Sequence, residues 1–157
     1  MSHEYEATVT WTREGRPFAG GDYSRGHRWR FDCGIEVAAS ASPSVVPLPF
    51  SREDAVDPEE AFIAAIASCH MLTFLGIAAK KRYVIDSYDD RAVGVMTPNA
   101  KGKPFVSKVT LDPVIEFSGD KRPTAQQIAE LHHLAHQECF IANSVLTEVV
   151  VAGIESH

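Results

Sequence analysis

Cys69 lies inside a stretch, 61–79, that carries no charged residue, and Cys139 lies seventy residues further on, at the end of a second predicted helix. A thiol becomes a useful nucleophile only as the thiolate, which burial opposes and a neighbouring cation favours, so a reactive Cys69 requires an arginine or protonated histidine beside it. The competing reading of each thiol is a small buried hydrophobe in helix packing. Cys33 fits that second reading, because strand parity places it on an apolar face with Trp29, Phe31, Ile35 and Val37. Three cysteines are an odd count and a poor disulfide framework, so any bridge is expected to be transient and redox-linked.

Histidine offers a different chemistry. His132, His133 and His136 have helical spacing near Glu138 and Cys139, which is the pattern of a weak metal-site candidate. Exposed helix histidines explain the same spacing without a metal. His70 reads as a core histidine, a polar group in a pocket or a proton donor to a leaving alcohol.

Positioning these groups falls to one domain, expected over 1–157, in a chain with 45% hydrophobic and 23% charged residues. The net charge of -6 and the absence of basic runs argue against nucleic-acid or anionic-membrane partners. The acidic, alternating start MSHEYEATVTW lacks the pattern of a secretory signal, and the expected location is the cytoplasm. The stretch 61–79 is long enough to cross a bilayer, but Ser68, Cys69, His70 and Thr73 weaken its apolarity. A soluble reading makes it a core helix buried on every side.

Around it, Tyr5, Ala7, Val9 and Trp11 alternate with polar residues as a half-buried strand, and a second strand runs from Arg28 to Val37. Carried backward, its parity points Tyr23, Arg25 and His27 inward. Prolines 43, 47 and 49 make an irregular loop. Asp57, Pro58 and Glu60 then form an N-cap, first helical residue and capping-box partner, predicting a helix to about Lys81. Strands follow over 83–96 and 105–117, joined by the turn-rich 98–104. Thr124 and Gln127 open a second helix to about Glu138, and 146–154 is a final apolar strand. Strands around two helices predict an α+β domain.

Asp57-Pro58-Glu59-Glu60-Ala61-Phe62, Ala67-Ser68-Cys69-His70 and His136-Gln137-Glu138-Cys139-Phe140 together resemble the OsmC/Ohr family of osmotically inducible and organic hydroperoxide resistance proteins, over essentially the whole chain. The resemblance implies antiparallel sheets wrapped around two long central helices in an intertwined homodimer. It also implies a peroxidase of organic, lipid-type hydroperoxides, with Cys69 as the peroxidatic thiol and Cys139 as the resolving thiol. Regeneration by a dithiol, from a lipoylated or thioredoxin-like protein, follows from the same resemblance, with no metal, nucleotide or flavin. Glu59 matches the glutamate that orients a catalytic arginine. Ten helical residues are about 15 Å of rise, so Glu59 cannot touch Cys69 of its own helix, and one of the two is expected from a partner subunit. Arg16, Arg25 and Arg52 are the candidate arginines, and the inward parity of Arg25 selects it. Phe62, Phe74 and Phe140 line a substrate entrance or fill the core. A non-catalytic dimer binding an apolar ligand, and the histidine metal site, are the alternatives.

Overall fold

The computed structural model describes residues 2–155, which divide into two compact units with the boundary between Ala61 and Phe62. In the first unit, β1 (Ala7–Thr10), β2 (His27–Phe31) and β3 (Glu36–Ala39) form an antiparallel sheet in that order. Val9 pairs with Trp29, and Trp29 with Val37, so the alternating residues do share one face. Trp29 and Val37 are partly buried on it, but β1 is not half-buried as expected: Val9 is 66% and Tyr5 89% exposed. The expected strand from Arg28 to Val37 is in fact a hairpin. Phe31 N–H donates to the Ile35 carbonyl across a turn in which Gly34 has φ +84°, a conformation glycine adopts without penalty. Cys33 therefore sits exposed at the hairpin tip and not on an interior strand face.

The first helix, α1 (Pro58–Lys80), starts as its sequence dictates: Glu60 N–H donates to Asp57 Oδ1 at 2.8 Å and Asp57 N–H to Glu60 Oε2 at 3.3 Å. Its last turn closes when Tyr83 N–H reaches back to the Ala78 carbonyl, with Arg82 left-handed at φ 64°. By length and composition α1 could span a membrane, yet only 22% of its apolar stretch is buried within the chain. Burial on every side does not occur. A single stripe at four-residue spacing is covered, Ile66, His70, Phe74 and Ala78, and Leu72 is 62% exposed.

Within the second unit, each of the two expected strands is broken. The chain forms β4 (Val84–Asp90), β5 (Val93–Pro98), β6 (Pro104–Leu111) and β7 (Pro113–Ser118), with β4 antiparallel to β7 and β5 to β6. The break falls where Asp90 Oδ1 accepts the Asp112 N–H at 2.8 Å, so a long hairpin divides into two sheets. The last strand, β8 (Glu148–Val151), is shorter than expected and lies parallel to β6. The α+β class holds. Ile66 packs with Val109 and Leu111 of β6, while Phe74 and Ala78 pack with Tyr83 and with Leu131 and Ala135 of the second helix. Where α1 meets β5, a Cβ on Gly94 would lie 2.5 Å from Ile63 Cδ1, so any larger residue there would force the Ile63 side chain to shift.

The second helix, α2 (Ala125–Glu138), carries both halves of a capping box between Thr124 and Gln127. Thr124→Ala removes the side-chain acceptor and is expected to lower stability by about 1 kcal/mol. Urea unfolding checks it; an unchanged midpoint counts against the cap as a determinant of α2.

Candidate active site

Cys139 is the C-cap of α2, and Cys69 lies mid-way along α1 on the shoulder of the buried stripe. The Cys139 thiol donates toward Cys69 Sγ across 2.8 Å. Cys139 is 1% exposed and Cys69 partly exposed, so the sulfur reachable from solvent is that of Cys69. Burial first, and then the hydrogen bond to Cys69, pushes the Cys139 thiol up to about 11. It stays a protonated donor at neutral pH.

What holds Cys139 there is local. Asn143 Nδ2 donates to the carbonyls of Gln137 and Cys139 at 2.8 and 3.1 Å, which occupies acceptors that a helix end leaves open. Asn143 N–H also reaches the Cys139 carbonyl, and Ala142 N–H approaches Cys139 Sγ at 3.4 Å. The segment Phe140–Ser144 thus folds back as a 3-10 turn over Ala142–Ser144 and seats the thiol. Phe140 itself points out, 80% exposed, while Phe74 is core and Phe62 packs on the β5–β6–β8 side.

A second contact joins the same helices. His70 Nε2 and His132 Nδ1 share a hydrogen bond at 2.9 Å, with the rings 5.2 Å apart and Phe74 against His132 at 4.4 Å. Both rings are buried, at 1% and 3% exposure. Burial, reinforced by the neighbouring histidines, lowers each to about 4. His70 is thus the core histidine that one reading made it, whereas His132 is not an exposed helix histidine. Its Nδ1 is committed to His70, and among the described residues no group of three or more potential ligands could hold a metal ion. Ile128, His132, Ala135 and Cys139 follow helical periodicity, a signal that could have assigned His132 to the interior from sequence.

The remaining expected site residues lie in the first unit. Arg25 precedes β2 and is half-buried. Its Nη1 donates to the Gly21 and Tyr23 carbonyls at 2.6 and 2.5 Å, and its guanidinium lies 3.9 Å over the Tyr23 ring. Gly21, at φ +78°, leaves Arg25 Nη2 3.5 Å from where a Cβ would stand. His27 joins the Arg25 carbonyl through Nδ1 at 2.8 Å and accepts the Trp29 indole N–H at Nε2. Among the described residues Arg25 has no carboxylate partner. Arg52, by contrast, is held in a two-pronged pair by Asp54 at 2.9 and 2.8 Å, and Arg16 lies exposed in a turn. Glu59 sits in the first turn of α1, and its Oε2 is shielded from solvent with no hydrogen-bond partner among the described residues.

A family model described as OsmC-like protein matches residues 51–152. An OsmC-like protein of unknown function from Vibrio cholerae is 57% identical, with 96% of this chain and 98% of that one covered and a TM-score of 0.93. Two more distant structures share the fold. An organic hydroperoxide resistance protein from Elizabethkingia anophelis, with thiocyanate bound, is 17% identical over 96% of both chains at TM-score 0.69. The organic hydroperoxide resistance protein OhrB of Bacillus subtilis is 14% identical over 95% of this chain and 96% of that one at 0.66. No curated protein matches the sequence significantly.

The buried imidazole pair has a measurable signature. Both histidines titrate near 4 when folded against 6.5 when free, so the unfolded chain binds more protons between those values. Stability is therefore expected to fall as pH drops from about 6.5 to about 4, by on the order of several kcal/mol, and to gain nothing from these groups above that window. Urea midpoints across the range test this; a flat profile contradicts a neutral, buried pair.

Proposed function

Since the chain belongs to the OsmC/Ohr family and carries its thiol-based redox chemistry, we propose that it reduces organic, lipid-type hydroperoxides to alcohols through Cys69 and Cys139. The observation that carries this is the 2.8 Å approach of two sulfurs seventy residues apart, one accessible and one sealed. The Cys69 sulfur attacks the peroxide, the O–O bond breaks, and the alcohol leaves with a proton while Cys69 becomes a sulfenic acid. The Cys139 thiol then displaces the sulfenic oxygen as water and a disulfide forms. An external dithiol, on a lipoylated or thioredoxin-like protein, returns both electrons by exchange.

Arg25 is the site arginine in this reading and Glu59 its orienting carboxylate, the two meeting at Cys69 only in a homodimer. An unpaired guanidinium and an unpaired, shielded carboxylate oxygen are the groups such an arrangement would join. The uncovered side of α1 supports the dimer as well: Ala65, Ser68, Leu72 and Gly76 are exposed, uncharged and mostly small, which suits close packing of a second copy. In that assembly the chain acts as a single OsmC-like domain over 1–157, with an intertwined partner and a cytoplasmic location.

Free thiols are expected to fall from three per chain to one, Cys33, after one equivalent of cumene hydroperoxide. Cys139→Ser should instead accumulate a sulfenate that dimedone traps. Cys69→Ser should lower kcat/KM by about a thousandfold or more, and Arg25→Ala by about a hundredfold. Three thiols surviving peroxide would leave the non-catalytic binding protein as the better description. For the assembly, Leu72→Asp should elute from size exclusion at the mass of one chain where the natural sequence elutes at two; equal elution of both rejects α1 as the interface.

A further inference from the structure

The first unit contains a cleft that the redox chemistry does not use. It is open, about 700 Å³ in volume, and lies on the polar side of the β1–β2–β3 sheet. Five guanidinia line it, from Arg13, Arg16, Arg28, Arg30 and Arg52, against the carboxylates of Glu14 and Glu36 alone. Arg28 is tied to Glu36 at 3.2 Å, and Arg52 to Asp54 outside the lining. Arg13, Arg16 and Arg30 have no carboxylate within ion-pair distance among the described residues.

Their placement is built into the backbone. Arg28 and Arg30 are two residues apart on β2, so their side chains leave the same face about 7 Å from one another. Arg13 and Arg16 flank a tight turn whose central residues, Glu14 and Gly15, have φ 53° and 74°. Arg16 N–H donates to the Arg13 carbonyl at 3.2 Å, and Arg13 Nη1 to the Arg16 carbonyl at 3.1 Å. Two successive left-handed residues make a type I′ turn, which glycine enters freely and glutamate only at a cost. The strained turn sets two arginines side by side on the cleft rim.

A concave surface lined by one sign of charge concentrates counter-ions, and a guanidinium fork matches phosphate oxygens two at a time. The volume falls in the range of small-molecule sites. A chain of net charge -6 disfavours an extended polyanion, which points to a compact one. We propose that this cleft binds a small phosphate-bearing anion, with Arg13, Arg16 and Arg30 as its principal contacts.

Calorimetric titration of the full-length protein with pyrophosphate, at about 20 mM salt and again near physiological ionic strength, tests the assignment. Saturable binding that weakens with salt is expected, at least tenfold weaker in Arg13→Ser/Arg30→Ser and measurably weaker in Arg13→Ser alone. Peroxide-driven thiol loss should be the same in these variants as in the natural sequence. Absence of saturable heat, equal affinity in the double variant, or citrate binding as tightly as pyrophosphate overturns the proposal.

Discussion

The hydrogen bond between His70 and His132 is the constraint on which the placement of the sulfurs rests. It is a polar contact inside an apolar seam, flanked by Phe74, Leu131 and Ala135, and it survives there because both imidazoles are neutral and each serves the other. Deleting either ring strands a nitrogen of its partner away from water, which costs more than the bond itself contributes. The pair fixes the axial position of α2 against α1. His132 is seven residues before Cys139 and His70 is one after Cys69, so the same register brings the two thiols together.

From that register follows a division of labour between the sulfurs. The end of α2 needs acceptors satisfied, and Asn143 satisfies them while turning the chain back over Cys139. Seclusion keeps that thiol protonated, while Cys69 stays partly open on the α1 shoulder. The candidate site arginines and those of the cleft lie elsewhere in the chain. Arg13, Arg16, Arg25, Arg28, Arg30 and Arg52 all precede the second unit, which contains both members of the thiol pair.

Much of this arrangement is readable from residue order. Both capping boxes, the start of α1 and the span of α2 follow from Asp57, Glu60, Thr124 and Gln127, because capping is a local event with few alternatives. The strands were less legible where alternation carried on through a turn. Trp29, Phe31, Cys33, Ile35 and Val37 keep perfect parity, yet Gly34 turns the chain between them, and apolar identity at Cys33 and Ile35 did not ensure burial. The breaks at Asp90 and Asp112 depend on a hydrogen bond across the hairpin, invisible to any single-strand pattern. His132 is hard to place for another reason: its neighbours His133 and His136 suggest a polar face, while its own periodicity belongs with Ile128 and Ala135.

The one-sided burial of α1 has a bearing on how the chain reaches its final state. A helix of 23 residues with no charge between its first turn and its last lysine, covered along one stripe only, is a poor companion for water. In the proposed dimer, folding and association would be a single concentration-dependent equilibrium, and dilution would loosen the protein as surely as heat does. A nascent copy of such a dimer, released among few others, would linger with its stickiest surface bare.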